Sequence, residues 1–275
     1  EDPLPQLRHP TGQPCGQGAR KCWPAAGRSL ALVDADLPCA AERDAATYRA
    51  VLRYFNVADA RNARYAPEPG KTFCNIFAHD VTRALRASIP HWVRDERQRT
   101  TRPIGWRELN ASDTFRWLAR VGPSAGWHPI DAALIASIRH LAQPRVPGGG
   151  VTPVSAGRVL DAALARLPAP LADAAARIAR ATHADPALLA QDAYVAQQFA
   201  NLGLPTVVSW AHPDPRRSGH IALIAPEGSG STGVRTRSGA FVPRSTQAGR
   251  ICFEERPADW IARPAFRSRR FFVHA

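Results

Sequence analysis

One stretch, Thr72-Phe73-Cys74-Asn75-Ile76-Phe77-Ala78-His79-Asp80-Val81-Thr82-Arg83-Ala84-Leu85, constrains the fold of this chain most. Phe77, Val81, Ala84 and Leu85 recur at spacings of four, three and one, which places them on one face of a helix and predicts that this face is buried. Pro67 and Gly70 break the chain just ahead and set the helix start near Cys74. A cysteine in a first helical turn sits among amide groups with no intrahelical acceptor, and their partial positive charge favours thiolate over thiol. Cys74 is therefore a candidate nucleophile. The competing reading makes it a small buried apolar residue, the common state of a free cysteine.

The other cysteines sharpen the choice. Cys15, Cys22, Cys39, Cys74 and Cys252 make five, an odd number, which in a secreted protein suggests two disulfides and one free thiol. Cys15, Cys22 and Cys39 lie in a Pro/Gly-rich segment, residues 1 to 40, whose weak periodicity predicts an irregular, cystine-bearing region. Three pairings of the four disulfide candidates are open, and proximity ranks Cys15–Cys22 with Cys39–Cys252 first. Cys74 is then left over. The chain holds no methionine, even at position 1, so the expectation is a mature form whose signal segment has been removed, secreted or periplasmic.

Hydrophobic residues form 45% and charged residues 21% of the 275, which excludes disordered and fibrous classes. No apolar run approaches the ~20 residues of a membrane helix, so no transmembrane segment is expected. The net charge of +13 is carried almost wholly by arginine, with Lys21 and Lys71 the only lysines. Such a surface attracts polyanions, including the anionic polymers of a bacterial envelope. No zinc-finger spacing and no basic run interleaved with aromatics accompanies the charge, so no specific nucleic-acid partner is expected.

Helical spacing recurs over Ala40–Phe55, Leu109–Val121 and Ala193–Leu202. From about Asp131 to Gln191 the composition shifts to alanine, leucine and arginine, with helical blocks at Asp131–Ala142 and Ala156–Ala181 around a Pro/Gly-rich linker, Gln143–Gly150. Strands are predicted at Thr206–Trp210, His220–Pro226, Phe241–Gly249 and Arg270–His274. Helices first and an antiparallel run afterwards give an α+β fold, with the Cys74 helix packed on the sheet. Three units follow: 1–40, a main domain of 41–130 with 192–275, and a helical insertion, 131–191.

A thiol nucleophile needs a base close in space. His220 is the best placed of nine histidines: Gly219 lets the backbone approach closely, and the ring stands at the first residue of an apolar strand. A strand-edge histidine with no catalytic part is the alternative. Taken together, Cys74-Asn75-Ile76-Phe77 at a helix start and Ser218-Gly219-His220-Ile221-Ala222-Leu223-Ile224-Ala225-Pro226 on a strand resemble the papain-like cell-wall hydrolases, the NlpC-type peptidases and CHAP-type amidases. The resemblance covers roughly residues 40–130 and 190–275. It implies a papain-like core with Cys74 as nucleophile, His220 as general base, and an orienting polar residue that Gln247 matches, with Ser245 and Glu227 as alternatives. The Cys74 amide would be an oxyanion donor, with Tyr65 and Asn75 as further oxyanion or substrate candidates and Trp92 and Trp210 as groove-lining candidates; a packed loop tyrosine is the alternative for Tyr65, and core packing for the two tryptophans. Asp80 reads as a structural anchor.

The implied reaction is hydrolysis of an amide bond in peptidoglycan peptides, with peptidoglycan as partner, an inhibitor or immunity protein as a second, and no cofactor or metal. A zinc enzyme built on His212, His220 and Asp80 or Asp214 is a rival, weakened by the lack of an HExxH-type spacing. A non-catalytic cationic wall-binding protein and a papain-like toxin acting on a protein amide are the others.

Overall fold

A computed structural model describes residues 20–38, 42–94, 106–143, 167–181, 185–228, 230 and 232–275. Three of the long helices begin where a side chain supplies a cap. Helix α1 (Ala45–Tyr54) starts after Asp44, whose carboxylate accepts from the Thr47 amide at 2.7 Å. Helix α2 is Cys74–Ala84, α3 is Ala111–Arg120 with Asn110 as cap, and α4 is Ala132–Ala142 with Asp131 as cap. Helix α5 (Ala169–Ala181), a single turn at Pro186–Leu189, and α6 (Asp192–Asn201) complete the helical part. Part of the expected Ala156–Ala181 block and most of the expected linker lie outside the described residues.

The strands are β1 (Trp92–Arg94), β2 (Trp106–Glu108), β3 (Trp127–Pro129), β4 (Thr206–Trp210), β5 (His220–Ile224), β6 (Val234–Arg235), β7 (Phe241–Val242), β8 (Arg244–Gln247), β9 (Phe253–Pro257) and β10 (Arg270–His274). Six of them form one antiparallel sheet in the order β3-β10-β4-β5-β8-β9, while β1 pairs with β2 and β6 with β7. The α+β expectation holds. Two strands of the six-stranded sheet were not foreseen. The three-residue β3 is too short to alternate, and β9, Phe-Glu-Glu-Arg-Pro, is charged because it is an edge strand open to water on one side.

Every residue of β4 and all but His220 of β5 are buried. Because side chains alternate between faces, both faces at the sheet centre are covered. Helices α2 and α3 contact β5, and α6 contacts β4, β5 and β10. Leu134 and Ile138 of α4 and Leu171, Ala175 and Ile178 of α5 belong to the same buried cluster as Phe77, Val81 and Leu223, so the Ala-rich helices share the core of the main domain. The expected buried face of α2 is as the spacing predicted, with Phe77 and Val81 at 0% exposure. No helix among the described residues is long and apolar enough to cross a membrane.

Candidate active site

Cys74 is the first residue of α2, preceded by Phe73, whose side chain caps nothing. The amides of this first turn therefore keep their positive field at the thiol. His220 is the first residue of β5, opposite Trp210 in β4. A side chain at Gly219 would put its Cβ 1.9 Å from the Trp210 carbonyl oxygen, so only glycine lets β5 begin there. Gln247 ends β8, the sheet neighbour of β5. Helix start and strand ends thus bring Cys74, His220 and Gln247 together from positions up to 173 residues apart.

The hydrogen bonds fix the imidazole. Gln247 Nε2 donates to the Ile251 carbonyl at 3.1 Å, and Gln247 Oε1 accepts from the Trp260 indole at 2.9 Å, so the amide oxygen is turned to His220. His220 Nε2 lies 2.9 Å from that oxygen and must carry the hydrogen. Nδ1 is left for Cys74, whose sulfur lies near enough for ring and thiol to shift one another's pKa. Trp260 also meets the ring edge-on, centroids 4.9 Å apart. Gly249 lies so close that a Cβ there would stand 3.1 Å from His220 Cε1.

Cys74 is 1% exposed. Burial alone pushes a thiol up, but the His220 imidazole and hydrogen bonds from the Ile221 amide and the Thr72 hydroxyl outweigh it and pull Cys74 below its ordinary value. Burial likewise opposes charge on His220, while the Cys74 sulfur and the Gln247 oxygen raise it above its ordinary value. Opposite shifts on adjacent partners favour a thiolate–imidazolium pair. A buried inert cysteine would have shifted upward, as Cys252 does.

A groove of about 1370 Å³ is lined by His220 and by the residues on either side of Cys74, and walled by Phe73, Asn75, Trp210, Gln247, Trp260 and Phe266. Asn75 donates to the Leu109 carbonyl at 2.7 Å, which ties α2 to the segment ahead of α3 and leaves the residue on the groove wall. Trp210 is also where expected. Two candidates are not. Tyr65 is fully buried and donates to Asp80 at 2.7 Å, so its hydroxyl serves the interior rather than an oxyanion. Trp92 donates to the Ser29 carbonyl and is not part of the groove. Of the alternative orienting residues, Glu227 binds Asn201 and the Gly233 amide, and Ser245 is buried in the sheet, paired with Ile224.

Asp80 anchors α2: Arg64 grips its carboxylate with two bonds of 2.8 and 3.0 Å, both side chains buried. The alternative zinc set is dispersed, since Asp80 is held by Arg64 and His212 Nδ1 accepts from the Asp214 amide. Among the described residues, no cluster of three or more His, Cys, Asp or Glu side chains is placed to hold a metal ion. Cys22 and Cys252, each expected in a disulfide, carry free thiols; Cys22 accepts a hydrogen bond from Asn56 and Cys252 faces the Tyr65 carbonyl. Cys15 and Cys39 lie outside the described residues. Trp260 was missed from sequence because it sits on a short 3₁₀ turn with no spacing relation to Gln247. Comparison with family models, with curated proteins and with solved structures gave no match.

Proposed function

We propose that the protein is a cysteine hydrolase that cleaves an amide bond in peptidoglycan peptides, built on a papain-like core of the NlpC/CHAP type. The observation that carries this reading is the alignment of Cys74, His220 and Gln247, with the imidazole tautomer set by Gln247 and the thiol at the start of α2. Supporting it are the cysteine on a helix N-terminus, the histidine on the first residue of a core strand after glycine, and the polar residue on the adjacent strand.

In this reaction the Cys74 thiolate attacks the scissile carbonyl carbon, and the carbonyl electron pair moves to oxygen beside the amides of the first turn of α2. His220 gives its Nδ1 proton to the leaving amine as the C–N bond breaks, leaving a Cys74 thioester. Water then gives a proton back to His220 and attacks the thioester, releasing the acid and restoring the thiolate. Gln247 holds the ring in one tautomer and tilt throughout. The net charge of +13 suits an enzyme retained on an anionic envelope, in a secreted or periplasmic setting.

Digestion of purified sacculi tests the reading, comparing the native protein with Cys74→Ala. Release of muropeptides by the native protein alone supports it, and mass analysis of the fragments names the bond. No release by either protein would overturn the peptidoglycan assignment.

A further inference from the structure

The groove beside Cys74 is walled by positive charge. Lys71 precedes α2, Arg217 lies between β4 and β5, Arg250 between β8 and β9, Arg256 on β9, and Arg263 after the turn that carries Trp260. All five side chains are exposed. They come from five separate segments of the chain, and the fold alone gathers them at one groove. None of the five takes part in an ion pair among the described residues.

Neighbouring lining charges are already engaged. Arg216 pairs with Asp214 at 3.2 Å, and Glu108 accepts from His91 at 2.7 Å. Asp259 is the one lining carboxylate outside such a pair. Gathered around one groove, the five cations add their fields there, as a cleft lined by one sign of charge does. Two of them line the groove close in the chain to residues that touch the catalytic base: Arg250 follows Gly249, which abuts His220, and Arg263 is three residues from Trp260, whose indole meets the same ring.

We propose that this groove selects a peptide with free carboxylates beside the scissile amide and discriminates against the same peptide with those carboxylates amidated. The inference rests on the hydrolase reading above. A carboxylate entering the groove beside Arg250 and Arg263 gains a charge-assisted bond that a neutral amide does not, and cations without an ion pair among the described residues gain a counter-charge. A chain that is merely arginine-rich would show no such preference tied to the groove.

Alkylation of Cys74 separates this inference from the reading beneath it. Iodoacetate is anionic and iodoacetamide neutral, and peptide mapping reports their rates at Cys74 apart from the other thiols. The ratio of the two rates should fall severalfold in the double variant Arg250→Gln/Arg263→Gln, and also on raising the salt concentration. Arg180→Gln, an exposed charge on α5 away from the groove, should leave the ratio as it is. On muropeptides, the native protein should hydrolyse the free-carboxylate form faster than the amidated form, and the double variant should lose that preference. A reactive Cys74 whose ratio is the same in the native protein and the double variant, or shifts equally in Arg180→Gln, would overturn the inference and leave the thiol mechanism standing. A Cys74 that reacts with neither reagent would overturn both.

Discussion

The indole of Trp260 and the imidazole of His220 share one acceptor, Gln247 Oε1, each at 2.9 Å, while their rings meet edge-on at 76°. The tryptophan thus holds the glutamine oxygen in place and covers the bond that orients the base. Trp260→Phe keeps the ring contact and removes the donor. A neutral hydrogen bond is worth about 1 kcal/mol, so kcat should fall roughly fivefold. Gln247→Ala removes a bond to a charged ring, worth about 1.5–3 kcal/mol, and should cost roughly 10- to 100-fold. Steady-state kinetics on a purified muropeptide checks both, and an unchanged kcat in Gln247→Ala would remove that residue from the site.

The paired shifts on Cys74 and His220 predict the pH profile. The Cys74 thiol is held below its ordinary value, so the thiolate survives into acid and activity falls only as pH drops through that lowered pKa. His220 is held above its ordinary value, so the proton needed by the leaving amine is lost only as pH rises through that raised pKa. A bell-shaped dependence of kcat/KM on pH, active across neutrality, is the expected result. A single limb rising toward the ordinary thiol pKa would contradict the ion pair.

The Arg64–Asp80 pair ties the segment ahead of α2 to the helix that carries the nucleophile, and both side chains are buried. Asp80→Asn leaves a guanidinium charge in the interior without its counter-ion. Loss of one partner of a buried pair costs about 3–5 kcal/mol. Urea denaturation should show that loss as a lower midpoint with an unchanged slope, while Asp34→Asn, at an exposed carboxylate paired with Arg83, should cost about 1 kcal/mol or less.

His79 supplies a second dependence on pH, this one of stability. Burial, with His91 and Arg83 nearby, pushes its pKa down to about 4, against the pull of Asp80 and of the Ile89 carbonyl 2.8 Å from Nδ1. The folded protein keeps this ring neutral while the unfolded chain protonates it near pH 6.5. The contribution is therefore complete above pH 6.5 and is lost as pH falls from there toward 4, by about 3 kcal/mol in all. Comparing native protein with His79→Gln by urea denaturation at pH 7 and pH 4.5 isolates it: the native protein should lose more stability between the two. Equal losses would mean that His79 titrates normally.

The parts of this site that were legible in the sequence are those written in local pattern. The spacing of Phe77, Val81 and Leu85 gave α2 and so the place of Cys74; Gly219 and the apolar run after it gave β5 and so His220. Gln247 followed only through resemblance. Tyr65 was misplaced because its direction depends on Asp80, a contact made across a loop and a helix that no local period encodes. Trp92 was misplaced for the same kind of reason, since its partner Ser29 lies in an irregular segment. The disulfide expectation rested on parity and proximity along the chain, and neither measures the distance between two sulfurs in space.

The most direct test of the central claim is a search for the thioester on Cys74. The native protein is mixed with sacculus-derived muropeptides, quenched in acid during turnover, and analysed by intact and peptide mass spectrometry. The expected result is an adduct on the Cys74 peptide with the mass of the acyl fragment, removed by hydroxylamine and absent in Cys74→Ala, which also releases no product. Product release continuing at the native rate in Cys74→Ala, with no adduct on the native protein, would contradict it.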